Sequence, residues 1–393
     1  MTRTRMLSVV AAIMAAALMP SPALAAKESS VAAAQRDGAI IAAIESAALE
    51  AIAAGGGPGL QVAVFKDGKP LLVKGFGSAD LELDVPVDNA SVFRIGSITK
   101  QFTAAVLFKL QEEGKLSLGD ALSKYYPDFP HAGEITLRQM LNHTSGLYNY
   151  TELPGFFSGP ERMLNHTTDE MVAFLAKMPT TQDFAPGTSW HYSNTAYFML
   201  GGVIEKVEKK PIDVVFKERI FAPLGMEHSA IDNEAEIVPG RVSGYDVASP
   251  GEFQNASFIS MTVPGAAGSM RSTASDLIVW TQALFGGKLL KPASFAAMTS
   301  PGKLNDGRDS KVAFPSELSG QEAYGMGLIT SKLDGHRRIG HMGGINGFSA
   351  SVAAFPQDHV IVAVLANGIG KEIGVGPLAE RIQKIALGLS LDK

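Results

Sequence analysis

Residues Phe93–Leu116 read FRIGSITKQFTAAVLFKLQEEGKL, a loop running into an amphipathic helix, with a serine at its mouth and a lysine one turn inside. A cap is one reason for such a serine, because Ser and Thr hydroxyls accept hydrogen bonds from the unpaired N–H groups of a helix N-terminus. Chemistry is another. Three residues along a helix turn through about 300° and rise ~4.5 Å, so Ser97 and Lys100 share a face. A lysine partly desolvated beside a hydroxyl is pushed toward its neutral form, or favours ionisation of its neighbour, and either helps make Ser97 a nucleophile. The Ser-x-x-Lys pattern alone is weak, since it recurs at Ser300–Lys303 and Ser390–Lys393. Pro301 and Gly302 oppose a helix at the first of these, and Lys393 is the last residue, where chains fray. Of the three serines, Ser97 is the one with a helical pattern after it.

A chain of 393 residues, 46% hydrophobic and 19% charged, can bury a large core as one big domain or two interleaved ones. Its first 26 residues read as a cleaved secretory leader: Arg3 and Arg5, an apolar run from Met6 to Met19 too short to span a bilayer, then Ala23-Leu24-Ala25-Ala26 as an Ala-x-Ala exit site. Losing two arginines and no acids takes the net charge from −5 to −7, which gives no reason to expect nucleic acid. There is no cysteine, which excludes disulfides, thiolate metal sites and a cysteine nucleophile. Export without disulfides fits a bacterial envelope, periplasmic or secreted, with no stable membrane insertion after cleavage. The eight histidines form no His-Glu-x-x-His and no close pair, so no metal is expected. No Gly-x-Gly-x-x-Gly or Walker loop calls for a nucleotide cofactor, and no Gly-x-Ser-x-Gly elbow is present. Nothing in the composition decides the oligomeric state.

Strand patterns lie at both ends. Leu60–Phe65 and Pro70–Phe76 flank Asp67-Gly68, a strong hairpin signal. Near the far end FSASVAAFPQDHVIVAVLAN alternates and then turns continuously apolar through Val360–Leu365. Helical patterns cover Ser30–Ala54, Thr136–Leu141, Thr168–Lys177, Thr195–Glu208, Ala274–Phe285 and Pro377–Leu389. The expected class is α+β: an antiparallel sheet formed by both chain ends and flanked by helices, with a mainly helical part inserted. Approximate bounds are 27–95 and 320–393 for the sheet part and 97–319 for the helical part, with a site in the cleft between them.

Two further stretches carry the reading. FAPGTSWHYSNTAYFMLGGVIEKV holds Tyr192-Ser193-Asn194 before a helix, and RRIGHMGGINGFSASVAAF holds His341-Met342-Gly343-Gly344 entering a strand. A turn tyrosine and a capping asparagine are the plain alternative for the first. With Ser97-Ile98-Thr99-Lys100, their order and spacing resemble the serine β-lactamase and penicillin-binding-protein superfamily. Within it, the chain looks like the branch of class C β-lactamases, D-Ala-D-Ala carboxypeptidases, D-aminopeptidases and family VIII esterases. ITLRQMLNHTSGL, IFAPLGMEHS, AAGSMRSTASDL and YGMGL extend the likeness over nearly the whole mature chain.

The resemblance implies a β-lactamase/transpeptidase-like fold and an acyl-enzyme on Ser97, with Lys100 supplying a cation or a neutral amine. It makes Tyr192 the general base, provided that flanking cations lower a phenol that ordinarily titrates near 10. Asn194 can accept from Lys100 and donate to a substrate carbonyl. Gly343 and Gly344 let a strand approach the substrate, and the N–H groups of Ser97 and Gly344 form an implied oxyanion hole. His341 stands where the β-lactamases have the lysine of Lys-Thr-Gly and can hydrogen-bond toward Tyr192. Met342 lacks the hydroxyl that in the family helps hold a substrate carboxylate, which counts against β-lactams and D-Ala peptides. His143, in HTSGL, reads as a packed turn, and Trp190, Tyr148, Tyr150, Phe156 and Phe157 as either acyl-pocket or packing residues. The expected activity is hydrolysis of a small ester, amide or D-amino-acid peptide by a carboxylesterase or D-amino-acid peptidase or carboxypeptidase. The alternatives are a class C-like β-lactamase and a catalytically inactive ligand-binding protein.

Overall fold

In the computed structural model the described residues are 22–310, 323–370 and 374–391, with side chains from 33 onward. The apolar run of the expected leader and Lys393 lie outside them. No helix among the described residues is long and apolar enough to cross a membrane.

Helix α1 (Pro22–Ala53) precedes strands β1 (Gly59–Lys66) and β2 (Lys69–Asp80). Asp67 and Gly68 between them have φ of +50° and +81°, the pair of positive values that a two-residue turn needs to match the twist of its strands. A short β3 (Val85–Pro86) follows β2, and β4 (Phe93–Arg94) leads to a single 3₁₀ turn at Gly96–Ile98 and helix α2 (Thr99–Glu112). The middle of the chain supplies α3 (Leu137–Leu141), α4 (Thr168–Ala176), α5 (Asn194–Glu208) and α6 (Ala274–Phe285). It also holds short strands for which the sequence shows no strand pattern: β5 (Ala230–Ile231), β6 (Tyr245–Ser249), β7 (Glu252–Asn255) and β8 (Met270–Ser272). Runs of two to five residues are too short to display a period, which is why they were not legible.

The C-terminal part is β9 (Ala323–Tyr324), β10 (Ile329–Leu333), β11 (His336–Ile345), β12 (Phe348–Phe355), β13 (Val360–Ala366), β14 (Gly368–Ile369) and helix α7 (Gly376–Leu387). The eight-stranded sheet runs β3-β2-β1-β13-β12-β11-β10-β9. Its two halves are zipped by the antiparallel pair β1 and β13, from Leu60 against Ala366 to Lys66 against Val360. One face packs on α1 and α7 through Ile44, Val62, Val64, Val362, Val364 and Ile382. The other packs on the helical part through Phe102, Leu107, Trp280, Ala350, Val352 and Ala363. Every residue of β12 and β13 is buried, and burial on both faces removes the need for a polar alternate position. The remaining strands form two small sheets, β14-β6-β7 and β4-β8-β5.

Buried polar side chains lock the two parts together. Gln61 on β1 donates to Asp88 O at 2.7 Å and accepts the Ala274 N–H at the start of α6 at 2.6 Å. Trp280 of α6 stacks on Phe102 of α2 at 3.9 Å and donates its indole N–H to Gln101. Helix α2 is thereby tied to α6 by a ring stack and a hydrogen bond.

Candidate active site

Ser97 sits in the 3₁₀ turn and makes no capping hydrogen bond, so the cap reading is set aside. The turn is anchored to β8: the Ile95 N–H donates to Met270 O at 2.9 Å, and Thr99 Oγ1 donates to Gly96 O at 2.7 Å while accepting the Met270 N–H at 3.1 Å. Gly96 has φ +49°, and a Cβ there would stand 2.8 Å from Gly344 O. Only glycine allows this turn to cross β11 so closely. Of the other two Ser-x-x-Lys pairs, Ser300 donates to Ala296 O at 2.7 Å with Lys303 paired to Asp309, and the Lys393 of the second lies outside the described residues.

Lys100 is fully buried, and its Nζ has three partners: Ser97 Oγ at 3.0 Å, Asn194 Oδ1 at 2.7 Å and Ala267 O at 2.7 Å. Asn194 opens α5, its own N–H donating to Asn149 Oδ1 at 3.1 Å and its Nδ2 to Thr151 Oγ1 at 3.2 Å. Ser193 caps that helix by accepting the Ala196 N–H at 3.2 Å. The ring of Tyr192 lies 4.7 Å from Lys100 Nζ, and its hydroxyl is hydrogen-bonded to Ser97. The first two motifs are thus brought together across 94 residues of chain at hydrogen-bond distance.

Burial governs the protonation of this cluster. It pushes Lys100 well below the ordinary lysine range and pushes the Tyr192 phenol up, against a smaller downward pull from Ser97. The expectation that flanking cations lower Tyr192 is not met: burial disfavours the phenolate, and the opposing pull comes from the Ser97 hydrogen bond. A neutral amine fits the partners of Lys100: two N–H donors for the acceptor oxygens of Asn194 and Ala267, and one lone pair for the Ser97 hydroxyl.

Strand β11 closes the site. A Cβ on Gly343 would stand 2.0 Å from Ile95 O and 3.1 Å from Ser97 N, so the strand backbone lies against the serine backbone. Gly343→Ala is expected to force β11 off the turn and spoil any oxyanion site there, lowering turnover by on the order of a hundredfold or more. Steady-state rates with circular dichroism as the folding check would measure it, and a variant with unchanged turnover would rule that placement out.

His341 does not reach Tyr192 by a hydrogen bond. Its Nε2 is 3.1 Å from Tyr324 Oη, and its Nδ1 faces Met342 O. A carbonyl can only accept, so Nδ1 carries the proton and Nε2 accepts from Tyr324. Burial, reinforced by Lys100, takes His341 down to about 3, so it does not replace the lysine charge of Lys-Thr-Gly at neutral pH. The folded value lies below the unfolded one near 6.5, so stability falls as pH drops from about 6.5 toward 3. Between pH 7 and pH 5 the wild type is expected to lose about 2 kcal/mol more than His341→Asn, read by urea unfolding at both pH values. Equal losses would mean that His341 is not held neutral. Met342 lines a small cavity with Arg338, Ser351 and Gln383 and brings no hydroxyl to it.

Asn149, Thr151, Tyr324 and the carbonyl of Ala267 touch the predicted site residues without having been singled out for it in the sequence, while His143, read as a packed turn, is indeed fully buried. Backbone acceptors and partners of partners leave no residue-type signal. Of the candidate pocket aromatics, Tyr150, Phe156 and Trp190 are buried packing residues, Tyr150 donating to Val263 O at 3.2 Å, while Phe157 is exposed. Among the described residues no group of His, Asp and Glu is arranged to hold a metal ion.

Known proteins are similar to this chain in sequence and fold. The Beta-lactamase family profile matches residues 41–385. Penicillin-binding protein 4* of Bacillus subtilis (strain 168) is 29% identical over 305 residues, covering 74% of this chain and 64% of that protein. D-aminopeptidase of Brucella anthropi is 29% identical over 334 residues, covering 85% of this chain and 60% of its own. The chain therefore spans less than two thirds of either relative. The solved D-stereospecific amidohydrolase from Streptomyces sp. is 30% identical with a TM-score of 0.74, covering 89% of this chain and 99% of that one. A profile match of this extent makes the chain a member of the Beta-lactamase family, in the superfamily of serine β-lactamases and penicillin-binding proteins.

Proposed function

We propose that this chain is a serine hydrolase that cleaves an ester or amide bond through an acyl-enzyme on Ser97, with carboxylesters and D-amino-acid amides or peptides as its substrate classes. The observation that carries the reading is the set of three partners around Lys100 Nζ. As Ser97 Oγ attacks the carbonyl, its proton passes to the neutral Lys100 amine, making Lys100 the base of the first step. The N–H groups of Ser97 and Gly344 take the developing oxyanion. The Tyr192 hydroxyl hands its proton to the departing alkoxide or amine and is replenished from the Lys100 ammonium. Water then enters, gives a proton back through the same pair and releases the acid with Ser97 restored. The tyrosine is here a proton carrier rather than a phenolate base.

The D-aminopeptidase and D-stereospecific amidohydrolase among the similar proteins support an amide of a D-amino acid, and the absence of a hydroxyl at Met342 supports preferring esters and amides over β-lactams. The leader-like run Met6–Met19 with its Ala-x-Ala site supports action in the periplasm or outside the cell. The test is to present the protein with p-nitrophenyl acetate and butyrate, D-phenylalanine amide, a D-Ala-D-Ala peptide and a penicillin, following product release and intact mass together. The fastest release names the substrate class. Adducts without release would make it an acylated binding protein, and neither adduct nor release with any probe would overturn the proposal.

A further inference from the structure

His143 follows α3 in the turn Asn142-His143-Thr144 and lies fully buried beneath Tyr192, the two ring centroids 4.4 Å apart. Its ring also meets Tyr324 at 4.5 Å, Tyr197 at 5.1 Å and, edge on, Trp190 at 5.9 Å. Two hydrogen bonds bracket Tyr192: the His191 N–H donates to His143 O at 3.0 Å, and the Ser193 N–H donates to His143 Nδ1 at 3.1 Å. A ring nitrogen that accepts carries no proton, so the proton of this imidazole is on Nε2, which has no hydrogen-bond partner among the described residues. The backbone here is left-handed, with φ +62°.

The first feature is a cost: an apolar ring would fill the same nest without leaving a buried N–H unpaired. What an imidazole adds to packing is the Nδ1 lone pair that receives the Ser193 N–H. The same ring touches Tyr324, whose hydroxyl holds His341 on β11. One side chain therefore braces the second motif directly and the third through a single intermediary.

We propose that His143 is the positioning residue for Tyr192, fixing its hydroxyl against Ser97 and Lys100 while touching no substrate atom. This rests on the Ser97, Lys100 and Tyr192 reading above. Burial, with Lys100, His341 and His191 adding to it, holds the imidazole well below its ordinary range, so the lone pair persists at neutral and mildly acidic pH.

The experiment compares wild type, His143→Ala, His143→Phe, His143→Asn and Ser97→Ala on p-nitrophenyl butyrate, with kcat, KM, the pH dependence of kcat and thermal unfolding for each. His143→Phe keeps a ring but cannot accept, whereas His143→Asn can accept through its amide oxygen and tolerates a left-handed backbone. Expected is a drop in kcat of about a hundredfold for Ala and Phe, as for a catalytic group displaced by an ångström. KM should stay within about threefold, the pH profile of kcat should shift, and Asn should recover at least tenfold of the loss. Variants that lose only thermal stability, keeping wild-type kcat and pH profile while folded, overturn the proposal. If Ala does not fold, equal kcat for Phe and Asn overturns it. Turnover surviving in Ser97→Ala overturns the nucleophile assignment and this proposal with it, whereas turnover lost in Ser97→Ala and kept in every His143 variant overturns this proposal alone.

Discussion

Ser97→Ala is expected to lower turnover of any substrate by on the order of 10⁵-fold or more and to abolish the covalent adduct. The substitution removes the one hydroxyl that the Lys100 amine faces at 3.0 Å and leaves the rest of the site in place. Lys100 keeps Asn194 and Ala267 as partners, and β11 keeps its crossing over the turn at Gly96. Substrate binding should therefore survive, with KM changed far less than kcat. Ser97 is only partly buried and makes no capping bond, so unfolding should be nearly unchanged. Intact-mass analysis and burst kinetics on wild type and variant together would decide it. A variant that still forms an adduct would place the nucleophile on another residue.

Lys100→Met should cost about 10² to 10⁴-fold, the range typical of losing a general base. Methionine keeps an unbranched stem in the same fully buried channel but offers neither the lone pair for Ser97 nor donors for Asn194 Oδ1 and Ala267 O. The comparison with Tyr192→Phe is the informative one. If burial makes Lys100 the base and Tyr192 a carrier, the rate of acylation falls further in Lys100→Met than in Tyr192→Phe. Single-turnover acylation with a good leaving group, which needs little help in departing, should widen that gap. A larger acylation defect in Tyr192→Phe would restore the phenolate as base and require a source of positive charge that His341, held neutral, does not supply.

The cavity that neighbours the site from behind, about 790 Å³ and lined by Phe198, Glu205, Asp232, Glu234, Phe258 and Ala266, contributes to none of these expectations. It is lined in part by Gly265 and Ala266, next to the Ala267 carbonyl that receives Lys100.

Local spacing determined a good part of this protein. The Ser97 and Lys100 side chains share a face because helical rotation is a property of a few consecutive residues, and Asp67-Gly68 makes its hairpin because two positive φ values suit those residue types. The apolar run at Val360–Leu365 marked a strand, and the helical patterns at Thr136–Leu141 and Thr168–Lys177 fell on α3 and α4, within a residue of their bounds. The tertiary structure decided the rest, and each case is a matter of what surrounds a group. Burial, which depends on hundreds of distant atoms, set the protonation of Lys100, Tyr192 and His341. Ala267 entered the site through its backbone, which is the same atom set in every residue. His341 turned to Tyr324 rather than Tyr192, and His143 became the floor under Tyr192, because the closing of β9, β10 and β11 against α3 and α5 fixes distances that no spacing along the chain encodes.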